Sequence, residues 1–153
     1  MKEVNMKEYK QKDDSELKKE LDELSFNVLR KEHTERPFTS PLNNEDRKGI
    51  YVDKASGEPL FTSMDKFDAG CGWPSFTRPI EKERVNYHDD YKLTMKRTEV
   101  RSSAGDNHLG HVFNDGPVDK GGLRYCINGA ALDFIPYEEM EEKGYGEYLI
   151  FFR

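Results

Sequence analysis

Leu17, Leu21, Leu24 and Val28 recur at helical spacing through a polar stretch, so the folded part of the chain is expected to begin with helix. Ser15 is placed to cap that helix and Ser25 to restart it, and Pro37 and Pro41 end helical structure. Residues 1–14 are polar and are expected to form a flexible tail, leaving 15–153 as a single domain. Beyond Pro41 the pattern changes to short strands. Ile50–Asp53 and Leu60–Ser63 flank a turn-like Ala55-Ser56-Gly57-Glu58 and predict a hairpin. Tyr91, Leu93 and Met95 alternate with Lys92, Thr94 and Lys96, the period of a half-buried strand. Gly110–Phe113, Leu123–Ala131 and Tyr148–Phe152 read as further strands, punctuated by Asn114-Asp115-Gly116-Pro117 and Gly121-Gly122. Closely spaced strands with intervening turns predict a mainly β, antiparallel fold with N-terminal helices.

Composition narrows the function classes. Charged and apolar residues each make up 35% of 153 residues, with 9 Phe, 8 Tyr and one Trp. Such aromatic content suits a folded core. A formal charge of −6, with basic residues interspersed among acidic ones, disfavours nucleic acid as a partner. No apolar run approaches membrane-spanning length, and the N-terminal segment lacks the apolar region of a secretory signal. A reducing cytoplasmic compartment and a soluble monomer are therefore expected. In such a compartment the two cysteines, Cys71 and Cys126, are more readily catalytic or free than a permanent staple.

Three segments carry candidate chemistry. On a strand, Arg124, Cys126 and Asn128 share one face while Leu123, Tyr125 and Ile127 share the other. The thiol then sits between a cation, which favours the thiolate, and an amide. A buried space-filling cysteine is the alternative. In His108-Leu109-Gly110-His111-Val112-Phe113 the two imidazoles would face opposite ways on a regular strand, but Gly110 permits a bend that unites them. Imidazoles exchange protons near neutral pH; the alternatives are core histidines or metal ligands. Zinc is poorly served, because no CxxC pair exists. Finally, Cys71 lies between Gly70 and Gly72 in a loop open to approach, followed by Trp73, either an apolar wall for a ligand or a core residue.

Taken together, GCGWPSF, HLGHVFNDGP and GGLRYCINGAALDF resemble the B-type methionine sulfoxide reductases, in that order and spacing, as do GIYVDKASGEPLF and GYGEYLIFFR. The resemblance runs from about Ser15 to the end. It implies two packed antiparallel sheets, with Cys126 as nucleophile and Cys71 as resolving cysteine. It further implies an active site containing Trp73, His108, His111, Phe113, Arg124 and Asn128, action on oxidised proteins or free methionine-R-sulfoxide, and recycling by thioredoxin. Many relatives hold a structural zinc through two CxxC pairs. The matching positions here are Asp53, Ser56, Ser102 and Gly105, so the chain resembles the zinc-free subgroup and no metal or cofactor is expected.

The chemistry that follows has His108 and His111 as candidate acids for the sulfoxide oxygen, with Arg124 and Asn128 placing that oxygen. Lowering the thiol's pKa is a second job open to Arg124. Trp73 and Phe113 are expected to receive the S-methyl group. A redox sensor that forms the same disulfide without releasing methionine, and a secreted β domain with a structural disulfide, are the competing readings.

Overall fold

The computed structural model describes residues 9–153, so most of the expected flexible tail lies outside the described residues. Two helices come first, α1 (Asp14–Glu20) and α2 (Glu23–Lys31). Their caps are Asp13 and Asp22, whose carboxylates accept from the main-chain N–H of Glu16 and Ser25; the serines expected to cap lie inside the helices instead. The extended backbone of Leu21 separates the helices and rotates the second, leaving Leu24 exposed while Leu17, Phe26, Val28 and Leu29 are buried.

Nine strands follow: β1 (Gly49–Asp53), β2 (Pro59–Thr62), β3 (Lys66–Phe67), β4 (Ser75–Phe76), β5 (Val85–Asp90), β6 (Arg97–Ser102), β7 (His108–Phe113), β8 (Arg124–Ile127) and β9 (Leu132–Pro136). They form a three-stranded sheet, β2-β1-β9, and a six-stranded sheet, β3-β4-β8-β7-β6-β5, with antiparallel neighbours throughout. The fold is thus mainly β with N-terminal helices, as expected. Aromatic side chains join the sheets. Phe61 of β2 stacks on Phe76 of β4 at 4.4 Å between ring centroids, and Tyr51 of β1 meets Phe76 edge-on at 5.1 Å. The helices close the same core with Leu17, Phe26, Val28 and Leu29.

Two expected strands are corrected. Tyr91–Lys96 is an exposed loop joining β5 to β6: no face of it is buried, so its alternation has no sheet face to meet. Asp90 shapes that loop by accepting the N–H of Lys92. The segment expected as a strand at Tyr148–Phe152 is a 3-10 helix, Gly146–Phe152. It packs Tyr148 with Ile50, Val52, Ile135 and Met140 against the back of the small sheet, which is why every residue of β1 is buried. Short apolar runs do not by themselves distinguish strand from helix. The expected strand Leu123–Ala131 is also shorter: β8 ends at Ile127, and Gly129–Ala131 is a 3-10 turn.

The positions matching the zinc loops are joined by hydrogen bonds. The buried Glu58 carboxylate accepts from Ala104 N–H at 3.0 Å, Gly105 N–H at 2.9 Å and the Ser56 hydroxyl at 3.1 Å. Asn107 Nδ2 donates to Asp53 Oδ2 at 3.0 Å, while Asp53 Oδ1 accepts from the N–H of Ala55 and Ser56. A Cβ on Gly105 would lie 2.6 Å from Asn107 Nδ2, so a thiolate has no room there. With no thiolate and with its oxygens already engaged, this donor set does not fit zinc. Glu58→Ala strands the buried N–H of Gly105 and the half-buried N–H of Ala104, and is expected to lower the unfolding free energy by about 3 kcal/mol, measured by urea denaturation.

Candidate functional site

Strand register assembles the site on one face of the six-stranded sheet. Ser75, Cys126, His111 and Glu99 stand opposite one another across β4, β8, β7 and β6. In the adjoining row Phe113 pairs with Arg124. The opposite face carries Phe76, Tyr125 and Val100 into the core. Arg124, Tyr125, Cys126 and Ile127 alternate between half-buried and buried, as the sequence pattern requires.

His108 joins this face through an irregularity. Val100 pairs with Gly110 but Arg101 pairs with His108, leaving Leu109 as an extra residue on β7. This β-bulge turns His108 to the side of His111, with ring centroids 5.6 Å apart. The two imidazoles do share a face, but the irregularity that unites them is a bulge at Leu109 and not a bend at Gly110, which pairs regularly with Val100. His108 Nδ1 lies 2.6 Å from Glu99 Oε2, and its buried Nε2 has no hydrogen-bond partner among the described residues. His111 Nε2 lies 2.7 Å from Asp90 Oδ2. Burial pushes both imidazoles below their ordinary pKa, and the paired carboxylates only partly offset it. The Asp90 carboxyl is itself held down to about 2 by the Lys92 N–H and by His111.

Thr34, Cys71, Trp73, Arg97, Gly110, His111, Phe113, Arg124, Cys126 and Asn128 surround a cavity of about 300 Å³. Seven of the eight residues singled out from the sequence line it, and His108 stands behind His111. Arg124 donates through Nε and Nη2 to Asp115 at 2.8 and 3.2 Å, and its guanidinium lies 4.4 Å from the Phe113 ring centroid. Asn128 has little freedom. Its Oδ1 accepts the N–H of Glu35 and its Nδ2 donates to the Leu109 carbonyl, so its amide braces the wall.

A strap after α2 forms that wall. The Glu35 carboxylate accepts from the N–H of Gly129 and Ala130, both at 2.8 Å, and its carbonyl accepts from Trp73 Nε1 at 3.0 Å. Glu35, Asp90, Glu99, Arg97 and Asp115 went unrecognised in the sequence. Each lies outside the segments that drew attention, or serves there as a turn residue, and only the tertiary contacts connect it to the cavity.

The two thiols are free and in contact, Sγ to Sγ 3.3 Å. Burial, reinforced by the neighbouring sulfur, pushes Cys126 up to about 12, and Arg124 opposes the shift. Burial also works against ionisation of Cys71, but the Ser75 hydroxyl at 3.3 Å and the Cys126 thiol outweigh it and hold Cys71 below its ordinary value. Two anions at this separation would repel, so ionisation of one thiol opposes ionisation of the other, and Cys71 is the one that loses its proton first. Iodoacetamide at neutral pH should therefore label Cys71 of the reduced protein before Cys126, as read by peptide mass mapping. Labelling of Cys126 first would contradict this order.

The sequence model of the SelR domain matches residues 21–136, from the end of α1 through β9, including every residue that lines the cavity. That span is most of the chain, and it carries the reduction of methionine-R-sulfoxide. The chain belongs to the SelR family, the methionine-R-sulfoxide reductase domain.

Proposed function

We propose that this protein reduces methionine-R-sulfoxide, in proteins and as the free amino acid, with Cys126 as nucleophile and Cys71 as resolving thiol. The observation that carries the proposal is the contact of the two sulfurs at 3.3 Å at the floor of a cavity walled by Trp73, Phe113 and His111. Substrate entering the cavity separates Cys71 from Cys126, removing the neighbour that raises the Cys126 pKa while the Arg124 guanidinium remains. Cys126 Sγ then attacks the sulfoxide sulfur. The oxygen takes a proton from the His108–His111 pair and moves to Cys126 as the S–O bond to methionine and the newly formed bond between the two sulfurs break. Methionine leaves reduced, and Cys126 is oxidised to sulfenic acid. Cys71 attacks that sulfur, water departs, and the disulfide formed is reduced by an external dithiol, with thioredoxin as the proposed donor.

Selectivity for the R epimer follows from an asymmetric cavity. Trp73 and Phe113 receive the S-methyl group, worth about 0.8 kcal/mol on burial. The opposite epimer would press its oxygen on indole and its methyl on the imidazole side. Trp73 is held for this task by the Glu35 carbonyl. Glycines flank Cys71, with Gly70 and Gly72 at φ +72° and +90°, giving the loop the backbone latitude that alternate thiol positions need. The hydrogen-bonded link between the Asp53 and Ser102 loops supports membership of the zinc-free subgroup. Among the described residues no helix is long and apolar enough to cross a membrane. A monomer in a reducing cytoplasm accords with two free thiols and a charge of −6.

Mixing the reduced protein with separated epimers, without added reductant, should release about one methionine per chain from the R form alone, with both thiols lost. Cys71→Ser should release the same single methionine but fail to cycle with thioredoxin; normal cycling would overturn the resolving role. No methionine from either epimer, with disulfide formation by peroxide retained, would favour a redox sensor.

Glu99 raises the proton affinity of His108 against burial. Removing its charge with Glu99→Gln should depress that imidazole further, so the proton-donating form survives only at lower pH. We expect kcat/KM at pH 7 to fall by about tenfold, less than the 10²–10⁴-fold lost when a general acid is removed outright, with recovery on acidification. A pH–rate profile unchanged from that of the parent would remove His108 from the proton path.

A further inference from the structure

Two arginines line the cavity, Arg97 and Arg124. Both oxygens of Asp115 engage Arg124. Arg97 is less well matched. Of its five N–H donors, one on Nη2 meets an acceptor among the described residues, Asp90 Oδ2 at 3.1 Å. That oxygen also lies against His111 Nε2, and Asp90 Oδ1 accepts the N–H of Lys92. The Nε of Arg97 is buried without a partner among the described residues. Buried donors are nearly always satisfied. A guanidinium with donors to spare on a cavity wall is therefore set up for an acceptor that arrives with a ligand.

Its place in the sheet says what that acceptor is. Arg97 precedes Glu99 by two residues on β6 and shares its face; Glu99 stands opposite His111, and His111 opposite Cys126. With strands about 4.8 Å apart and a rise of about 3.4 Å per residue, the Cα atoms of Arg97 and Cys126 are roughly 12 Å apart. A methionine sulfoxide seated by its sulfur on Cys126 and an arginine side chain reaching from β6 bridge that gap between them. The two ends of the substrate's main chain are not equivalent here. Its nitrogen, as amide N–H or ammonium, can only donate, as a guanidinium does. The oxygen on its carboxyl carbon accepts.

We propose that Arg97 is a substrate-binding residue that donates to the carboxyl-side oxygen of methionine-R-sulfoxide, a main-chain carbonyl in a protein and a carboxylate in the free amino acid. The inference rests on the reductase reading and names how the same site holds the substrate's main chain. The carboxylate gains more from the contact, because a hydrogen bond between two charged groups is stronger than one to a neutral carbonyl. The guanidinium also offsets the repulsion between that carboxylate and an ionised thiol in the cavity. A sulfoxide that lacks the carboxyl carbon forgoes the contact altogether, so Arg97 discriminates methionine sulfoxide from simpler methyl sulfoxides.

The test compares three substrates, with dithiothreitol as reductant: N-acetyl-methionine-R-sulfoxide, which carries a carboxylate; its N-methylamide, which imitates a residue within a chain; and (R)-methyl propyl sulfoxide, which has no carboxyl carbon. Arg97 also bears on His111, whose proton affinity its charge lowers. That influence is common to all three substrates, so the quantity read is the ratio of kcat/KM for each of the first two to kcat/KM for the third. Arg97→Gln should lower this ratio by about tenfold for the carboxylate and about threefold for the amide, the range of one hydrogen bond with and without charge on the acceptor. Arg97→Lys, which restores a point charge, should recover most of the carboxylate's ratio. Unchanged ratios, whether every substrate slows equally or none does, overturn the proposal. A fall for the carboxylate alone overturns it for residues within proteins. If the unmodified protein reduces none of the three, the reductase reading fails and this inference falls with it.

Discussion

The close approach of β7 to β8 at Gly110 is the constraint on which the site depends. A Cβ there would lie 2.1 Å from the Cys126 carbonyl oxygen and 3.0 Å from Ile127 Cα. Only glycine lets the strands pair at this point, and that pairing puts His111 directly opposite Cys126. The bulge at Leu109 next to it rotates His108 onto the same face. The backbone there is used as well. The Leu109 carbonyl accepts both the main-chain and side-chain N–H of Asn128, which in turn holds the strap through Glu35. One missing side chain therefore places a thiol, two imidazoles and the wall that carries Trp73.

Around that frame, each basic group at the cavity is backed by a carboxylate. Asp115 holds Arg124, Glu99 holds His108, and Asp90 holds both His111 and Arg97. Such pairs fix orientation at least as much as they add stability, since long side chains left free would have to be ordered at the moment of reaction. The imidazoles stay neutral at rest because burial outweighs the carboxylates. The contact of the two thiols opposes their both being ionised at once.

The core serves the site by rigidity. Phe61, Phe76, Tyr51 and Tyr125 interlock beneath β4 and β8, on the face opposite Cys126. The 3-10 helix at Gly146–Phe152 covers the far side of the small sheet. The glycine-flanked Cys71 and the loop 91–96, by contrast, lie outside this packing.

The linear chain determined a good deal on its own. Alternation in Arg124-Tyr125-Cys126-Ile127 separated a reactive face from a core face, because side-chain period is a local property, whereas the bulge that unites the histidines lies at Leu109, not at Gly110 where a bend was expected. The motif strings gave the family. Tyr91–Met95 and Tyr148–Phe152 misled, because a short apolar pattern means strand only where a sheet face is waiting to bury it. Which carboxylates stand behind the cations, that Glu35 holds Trp73 from 38 residues away, and which thiol ionises more readily were decided by tertiary structure alone. Those properties belong to distances between segments remote in sequence and to burial, and neither is written in the order of residues.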